Sequence, residues 1–230
     1  MASLIVPVKN VVIEWRYPPN LLFYSKMDEV GLHFLKKFPD WKRGPLILEM
    51  RNKKRHRRFF MSYRRSFFEA VDVAPAEVEN VIEEAQKIFQ RLQHQASIDK
   101  LERVGFRIYV AYERSEEFPT LVEQIRVKTQ PPQGTIDANL HGEIKDVGYV
   151  ANVRVNEDWK YALHVGPMER EQWFQLIHHE LELFPTLEDF TAYMEGFPKR
   201  FVYFDVDCST TECPASKWSI WMNDAKITSM

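Results

Sequence analysis

Residues 75–112 read PAEVENVIEEAQKIFQRLQHQASIDKLERVGFRIYVAY, and this stretch decides the fold. Pro75 suits the first turn of a helix, where its missing N–H is not needed. Val78, Val81, Ile82, Ala85, Ile88, Phe89 and Leu92 then form one apolar stripe at helical spacing, with Glu79, Glu83, Glu84 and Lys87 mostly off it. Leu101 to Tyr112 follows as a long β-branched and aromatic strand. Upstream, Arg58–Tyr63 and Ser66–Val73 read as two further strands, so residues 57–112 run strand, strand, helix, strand.

The same order recurs over residues 159–208. Glu143–Val155 and Trp159–Val165 read as strands, and Thr186 with Asp189 makes a capping-box pair that opens a helix carrying Leu187, Phe190, Met194 and Phe197 on one face. Arg200–Cys208 is the next strand, and Trp218–Met222 is a candidate for the last. Glu171–Phe184 fits either period: Trp173, Leu176, Ile177 and Leu181 suit a helix, whereas Trp173, Ile177, Leu181 and Leu183 share one face of a strand. Likeness to residues 57–112 favours the strand. The expected fold is therefore α+β, two tandem lobes with mainly antiparallel sheets backed by helices. Residues 1–128 form an N-terminal lobe with a basic hairpin, 129–137 a linker, and 138–230 a C-terminal lobe; Thr129-Gln-Pro-Pro-Gln-Gly-Thr135 is the clearest break in composition. A common topology reached twice explains the likeness of the halves equally well.

Nearer the start, Val8–Arg16 reads as a strand stopped by Tyr17-Pro18-Pro19-Asn20. Ser25 and Asp28 resemble a capping box before a helix bearing Met27, Val30, Phe34, Leu35 and Phe38, which Pro39 ends. Gly44-Pro45 opens a strand over Leu46–Met50, and Pro119–Val127 suits a short helix.

Composition narrows the function. With 45% hydrophobic and 28% charged residues, the 230-residue chain can build a core, which excludes disorder. A net charge of -2 excludes a global polycation. No apolar run reaches transmembrane length and the first residues lack a secretory pattern, so the expected location is the cytoplasm, with no membrane partner. The 8 glycines include no G-x-G-x-x-G and no P-loop, which argues against the common nucleotide-dependent enzymes and gives no cofactor. Cys208 and Cys213 read as free thiols with no assigned role. No G-x-S-x-G, HExxH or Cys-x-x-Cys occurs, so no catalytic residue is named.

The strongest local anomaly is Arg51-Asn-Lys-Lys-Arg-His-Arg-Arg58, continued by Arg64-Arg65, with no Asp or Glu between 51 and 65. The spacing places this charge at a hairpin tip between Met50 and Phe59. Cations release counterions from a phosphate backbone and exposed rings stack on unpaired bases. Lys53, Lys54, Arg55, Arg57 and Arg58 are thus candidate phosphate contacts of a nucleic-acid-binding segment 51–65, with Phe60 and Tyr63 as stacking residues. The alternatives are a solvated tip that blocks sheet pairing, or one that docks on an acidic protein surface. Residues 151–230, with 7 Lys and Arg against 13 Asp and Glu, offer such a surface.

A second candidate is a metal site. Asp205 and Asp207 project from one face of their strand, near a segment with His178, His179, Glu180 and Glu182. Adjacent histidines point apart, and two acids at a strand end are commonly solvated or held by an arginine such as Arg200. The leading expectation is a non-enzymatic binding or accessory protein. The alternatives are a metal-dependent hydrolase using Asp205, Asp207 and His178 or His179, and a homo-oligomeric module in which the basic tip of one copy meets the acidic half of another.

Arg103-Val-Gly-Phe-Arg107 after a long helix, and Tyr203-Phe-Asp-Val-Asp207 on a late strand, resemble motifs of a sporadically distributed prokaryotic family of uncharacterised proteins. The order of elements is similar over most of the chain, whereas the matched motifs are short. Where that family's first motif continues with Tyr soon after the second Arg, this chain has Ile108 and then Tyr109. The resemblance implies a bacterial or phage-borne soluble protein without an established activity, and it assigns no site residue.

Overall fold

Alternation along the strands builds two unlike faces on one sheet. The computed structural model describes residues 8–129, 146–155, 159–177, 182–215, 217 and 218. The chain begins β1 (Val8–Arg16), α1 (Leu22–Phe34), β2 (Asp40–Arg43), β3 (Ile47–Asn52), β4 (Arg57–Ser62) and β5 (Arg65–Val73). It continues through α2 (Val78–Ala96), β6 (Lys100–Glu113) and α3 (Phe118–Thr129). The second half gives β7 (Tyr149–Arg154), β8 (Trp159–Glu169), α4 (Arg170–Ile177), α5 (Leu187–Glu195) and β9 (Arg200–Pro214). Among the described residues the fold is α+β, a nine-stranded antiparallel sheet in the order β2-β3-β4-β5-β1-β6-β9-β8-β7. No described helix is long and apolar enough to cross a membrane.

On one face, Val11, Ile13 and Trp15 of β1, Phe68 and Ala70 of β5, Phe59 and Met61 of β4, and Val104, Phe106 and Ile108 of β6 pack beneath α1 and α2. The α2 stripe foreseen from residues 78–92 is fully buried there. Trp15 stacks on Phe89 at 4.6 Å, and Trp218 meets both rings edge-on at 5.3 Å. On the other face, Trp173 and Ile177 of α4 and Phe190 and Met194 of α5 bury Val71, Ala111 and Phe201 of the sheet. Asp72, at a left-handed φ of 52°, breaks the alternation of β5, so that Val71 joins this second core and Val73 the first.

Several expectations are corrected. The two tandem sheets are one: β6 pairs β9 from Lys100↔Pro214 to Glu113↔Phe201, which joins the halves edge to edge. Each core also draws on both halves, since Trp218 sits in the first and Val71 and Ala111 in the second. Residues 171–177 are helix rather than strand. Their apolar positions fitted both periods, and the uncovered sheet face decides for a helix, on which Trp173 and Ile177 lie one turn apart and bury together. Helix α1 starts at Leu22, ahead of Ser25, with the Asn20 side chain accepting from the Leu22 N–H at 2.9 Å. Trp218 is in a helical turn rather than a strand. The short edge strand β2 was not foreseen. The remaining linker residues 130–137, the start of the expected strand at 143–145, and 219–222 lie outside the described residues. The Thr186–Asp189 capping box is present in both directions.

Candidate functional site

The face turned away from α1 and α2, where α4 and α5 do not cover it, carries a concentration of charged and polar residues among apolar ones such as Val12, Phe60 and Phe67. The polar residues include Glu49 and Arg51 of β3, Arg58 of β4, Arg65 and Glu69 of β5, Asn10, Glu14 and Arg16 of β1, Arg103 and Arg107 of β6, Asp205 and Asp207 of β9, and His164 of β8. Strand register sets them side by side: Arg58 lies opposite Glu69, Arg107 opposite Asp207, and His164 opposite Asp205. The result is a charged band running from β3 to β8.

Within the band each guanidinium is held by a carboxylate. Arg58 Nε donates to Glu69 Oε2 at 2.7 Å, and its Nη1 lies 3.6 Å from Glu49. Glu69 also accepts from the Asn10 amide at 3.0 Å. Arg103 donates to both oxygens of Asp207 at 3.1 Å and, through its other nitrogen, to Glu14. Arg107 binds Asp205 through two parallel hydrogen bonds of 2.8 and 2.6 Å, the bidentate geometry that fixes a guanidinium plane. That bond to Asp205 is what raises the Arg107 pKa further above its ordinary value. Burial pushes the Asp207 carboxyl up, against the opposing pull of Arg103 and Arg107. Gly105 makes room for the arrangement, since a Cβ there would lie 3.3 Å from the Arg103 guanidinium carbon.

The band is layered in part, although Asp207, at 33%, is more exposed than its partner Arg103, at 24%. The carboxylates of Glu69 and Asp205 sit deep, at 4% and 7% exposure, whereas Arg107, Arg16 and Arg65 stand out at 42%, 48% and 51%. Beside them, Phe60 and Phe67 form a cross-strand stacked pair, centroids 4.9 Å apart and planes 13° from parallel. Arg58 lies 5.3 Å from the Phe67 ring centre and Arg65 5.5 Å from that of Phe60, within range of a cation–π contact.

The segment 51–65 does form the expected hairpin, with Lys53–Arg55 as a 3₁₀ turn at its tip, capped by Asn52. Its residues separate into different roles. Lys54 and Arg55 are exposed and Lys53 is half-buried, and Arg55 pairs with the buried Glu84 at 3.2 Å. Arg57 is buried, and one of its nitrogens donates to the carbonyls of Arg55, His56 and Val71, which ties the tip together. Tyr63 stacks at 6.3 Å on Tyr24. Arg51 pairs with Glu182, and the His56 ring lies 4.4 Å from that of Phe184, so the hairpin docks on the acidic second half. Of the nucleic-acid candidates named from the sequence, Arg58 and Phe60 lie on this face.

Asp205 and Asp207 do share one face of β9, and the cations they hold are Arg107 and Arg103; Arg200 pairs instead with Glu117 at 2.7 Å. His178 and His179 lie outside the described residues. Among the described residues, no group of three or more His, Cys, Asp or Glu is placed to hold a metal ion. Cys208 is buried and Cys213 half-buried, both as thiols, with burial raising the Cys208 pKa to about 11.

Sequence reasoning passed over Glu14, Phe67, Glu69, Arg103 and Arg107. A signal existed, because charges recur at every second or fourth position of their strands while the alternate positions are apolar. In comparisons with known proteins, no family model and no curated protein matches this chain.

Proposed function

We propose that this protein is a non-enzymatic binding protein that holds single-stranded nucleic acid on the charged face of its sheet. The observation that carries this reading is the Phe60–Phe67 ring pair flanked by Arg58 and Arg65. Flat rings on a sheet accept unpaired bases by stacking, and neighbouring guanidiniums meet the phosphates. The acids beneath support it too. A carboxylate that holds an arginine from below fixes its position and leaves the outer N–H groups facing a ligand. The two halves of the chain, taken to divide at 129–137, then act on one surface: the first brings the rings and most arginines, the second the carboxylates of β9.

The experiment is fluorescence anisotropy with labelled single-stranded DNA and RNA, and with duplex DNA, across a salt series. Single strands are expected to bind more tightly than duplex, with a log–log salt slope of about -0.7 per phosphate contact. Phe60→Ala is expected to weaken binding about tenfold, within the ~1–3 kcal/mol that stacking contributes per base. Arg16→Glu with Arg65→Glu should abolish it. Lys53→Glu with Lys54→Glu should leave it nearly unchanged. Flat traces at low salt remove the proposal, and loss on the tip variant alone moves binding to the hairpin.

A further inference from the structure

A second site lies on the opposite face of the sheet, where α3 crosses the second half. Leu121 and Ile125 of α3 face the short side chains Val165 of β8 and Val202 of β9, with Phe204 beside them, and together they line a cavity of about 360 Å³. Ligand pockets range over roughly 300–1,000 Å³, so this one suits a molecule smaller than most drugs. Its walls are apolar, but Arg114, Gln124 and Lys128 also line it.

The placement of Arg114 matters most. Its Nε donates to Glu116 at 3.1 Å, and its Nη2 donates to Glu116 and, at 3.3 Å, to Gln124. These bonds fix the guanidinium plane and leave Nη1 without a partner among the described residues. The Lys128 ammonium likewise has none among the described residues. An apolar slot with two cations among its lining residues recognises a molecule with a hydrocarbon body and one negative end. A neutral apolar ligand would leave the Lys128 ammonium and the Nη1 of the Glu116-paired Arg114 unused, and a polyanion would find no partners along the walls.

We propose that this cavity binds a medium-chain fatty acid, with its chain between α3 and the sheet and its carboxylate against Arg114 and Lys128. The site is independent of the nucleic-acid surface, since it is built on the other face from different residues.

The test uses the full chain and decanoate in isothermal titration calorimetry, with decan-1-ol as the neutral counterpart. Decanoate is expected to bind at one site per chain and decan-1-ol at least tenfold more weakly. Lys128→Glu, on the exposed side of α3, should weaken decanoate at least tenfold while leaving the unfolding midpoint unchanged. Val202→Phe, which fills the cavity, should abolish binding; Val165→Ile, a milder filling that serves where the larger ring prevents folding, should weaken it. Absence of decanoate binding overturns the proposal, as does binding that survives both cavity-filling variants. Equal affinity for decan-1-ol overturns the role of the two cations.

Discussion

Replacing Glu69 with leucine tests whether the charged band is a preorganised structure or a set of solvated ions. The Glu69 side chain is 4% exposed and accepts hydrogen bonds from Arg58 and Asn10. Removing the acid leaves the Arg58 guanidinium, 14% exposed, with Glu49 at 3.6 Å as its remaining carboxylate. Breaking a buried ion pair typically costs about 3–5 kcal/mol, because an uncompensated charge stays behind. The residual Glu49 contact places Glu69→Leu at the low end, about 3 kcal/mol. Arg58→Met alone strands Glu69 in the same way and should cost about as much. In the double variant neither charge of the pair remains; the Asn10 amide loses a partner, worth about 1–2 kcal/mol, and Glu49 loses its contact with Arg58 but keeps Arg51 at 3.0 Å. The two single costs should therefore fail to add by several kcal/mol. Urea unfolding of the four proteins, compared at unchanged m-value, measures this directly. Additive effects, or a Glu69→Leu cost below about 1 kcal/mol, would show that water already solvates the pair and that the carboxylates do not hold the arginines in place.

Three further outcomes follow from the fold. Phe89→Ala, between Trp15 and Trp218, should destabilise by about 3–5 kcal/mol in urea unfolding, and a cost under about 1 kcal/mol would mean the rings do not pack as described. Thr186→Ala removes the half of the α5 capping box in which the Thr186 hydroxyl accepts from the Asp189 N–H, leaves the backbone N–H bond to the Asp189 carboxylate, and should cost about 1 kcal/mol, with faster amide exchange confined to α5; unchanged exchange there argues against the cap. Burial against Phe184 holds the His56 imidazole below its ordinary pKa of 6.5, partly offset by Asp72. As pH falls through that value the unfolded chain gains a proton that the folded chain refuses until lower pH, so stability declines on acidification. His56→Phe should reduce that decline in urea midpoints stepped across pH 7 to 5, and identical slopes would refute it.

What could be read from the sequence was local. The strand Val8–Arg16 and the α2 stripe are each set by one periodicity and one stop signal, and both are found where the residues place them. Glu171–Phe184 failed because a short apolar run with Trp173 and Ile177 four apart satisfies both periods; the choice is made by Tyr109 and Phe201, which present an uncovered apolar face from distant strands. The merging of two expected sheets depends on the β6–β9 pairing, which joins residues about a hundred positions apart and has no local signature.

The candidate site was hidden for a related reason, and the case of residues 51–65 shows why. A run of basic residues is conspicuous because it is contiguous, yet contiguity on a tight hairpin sends neighbours in opposite directions. Arg57 turns into the hairpin and binds its carbonyls, while Arg58 faces the band and binds Glu69. A sheet face gathers its residues from many strands, so Arg58 of β4 shares one surface with Arg103 and Arg107 of β6 while lying far from them in the chain. Net charge misleads for the same geometric reason. Each arginine of the band comes with a carboxylate, and the whole chain carries only -2. A ligand meets a layered surface rather than a sum: Glu69 and Asp205 are nearly covered, and Arg16, Arg65 and Arg107 are not. The potential just outside the sheet is weighted towards its outermost charges, so a near-neutral total is compatible with an anion-binding face.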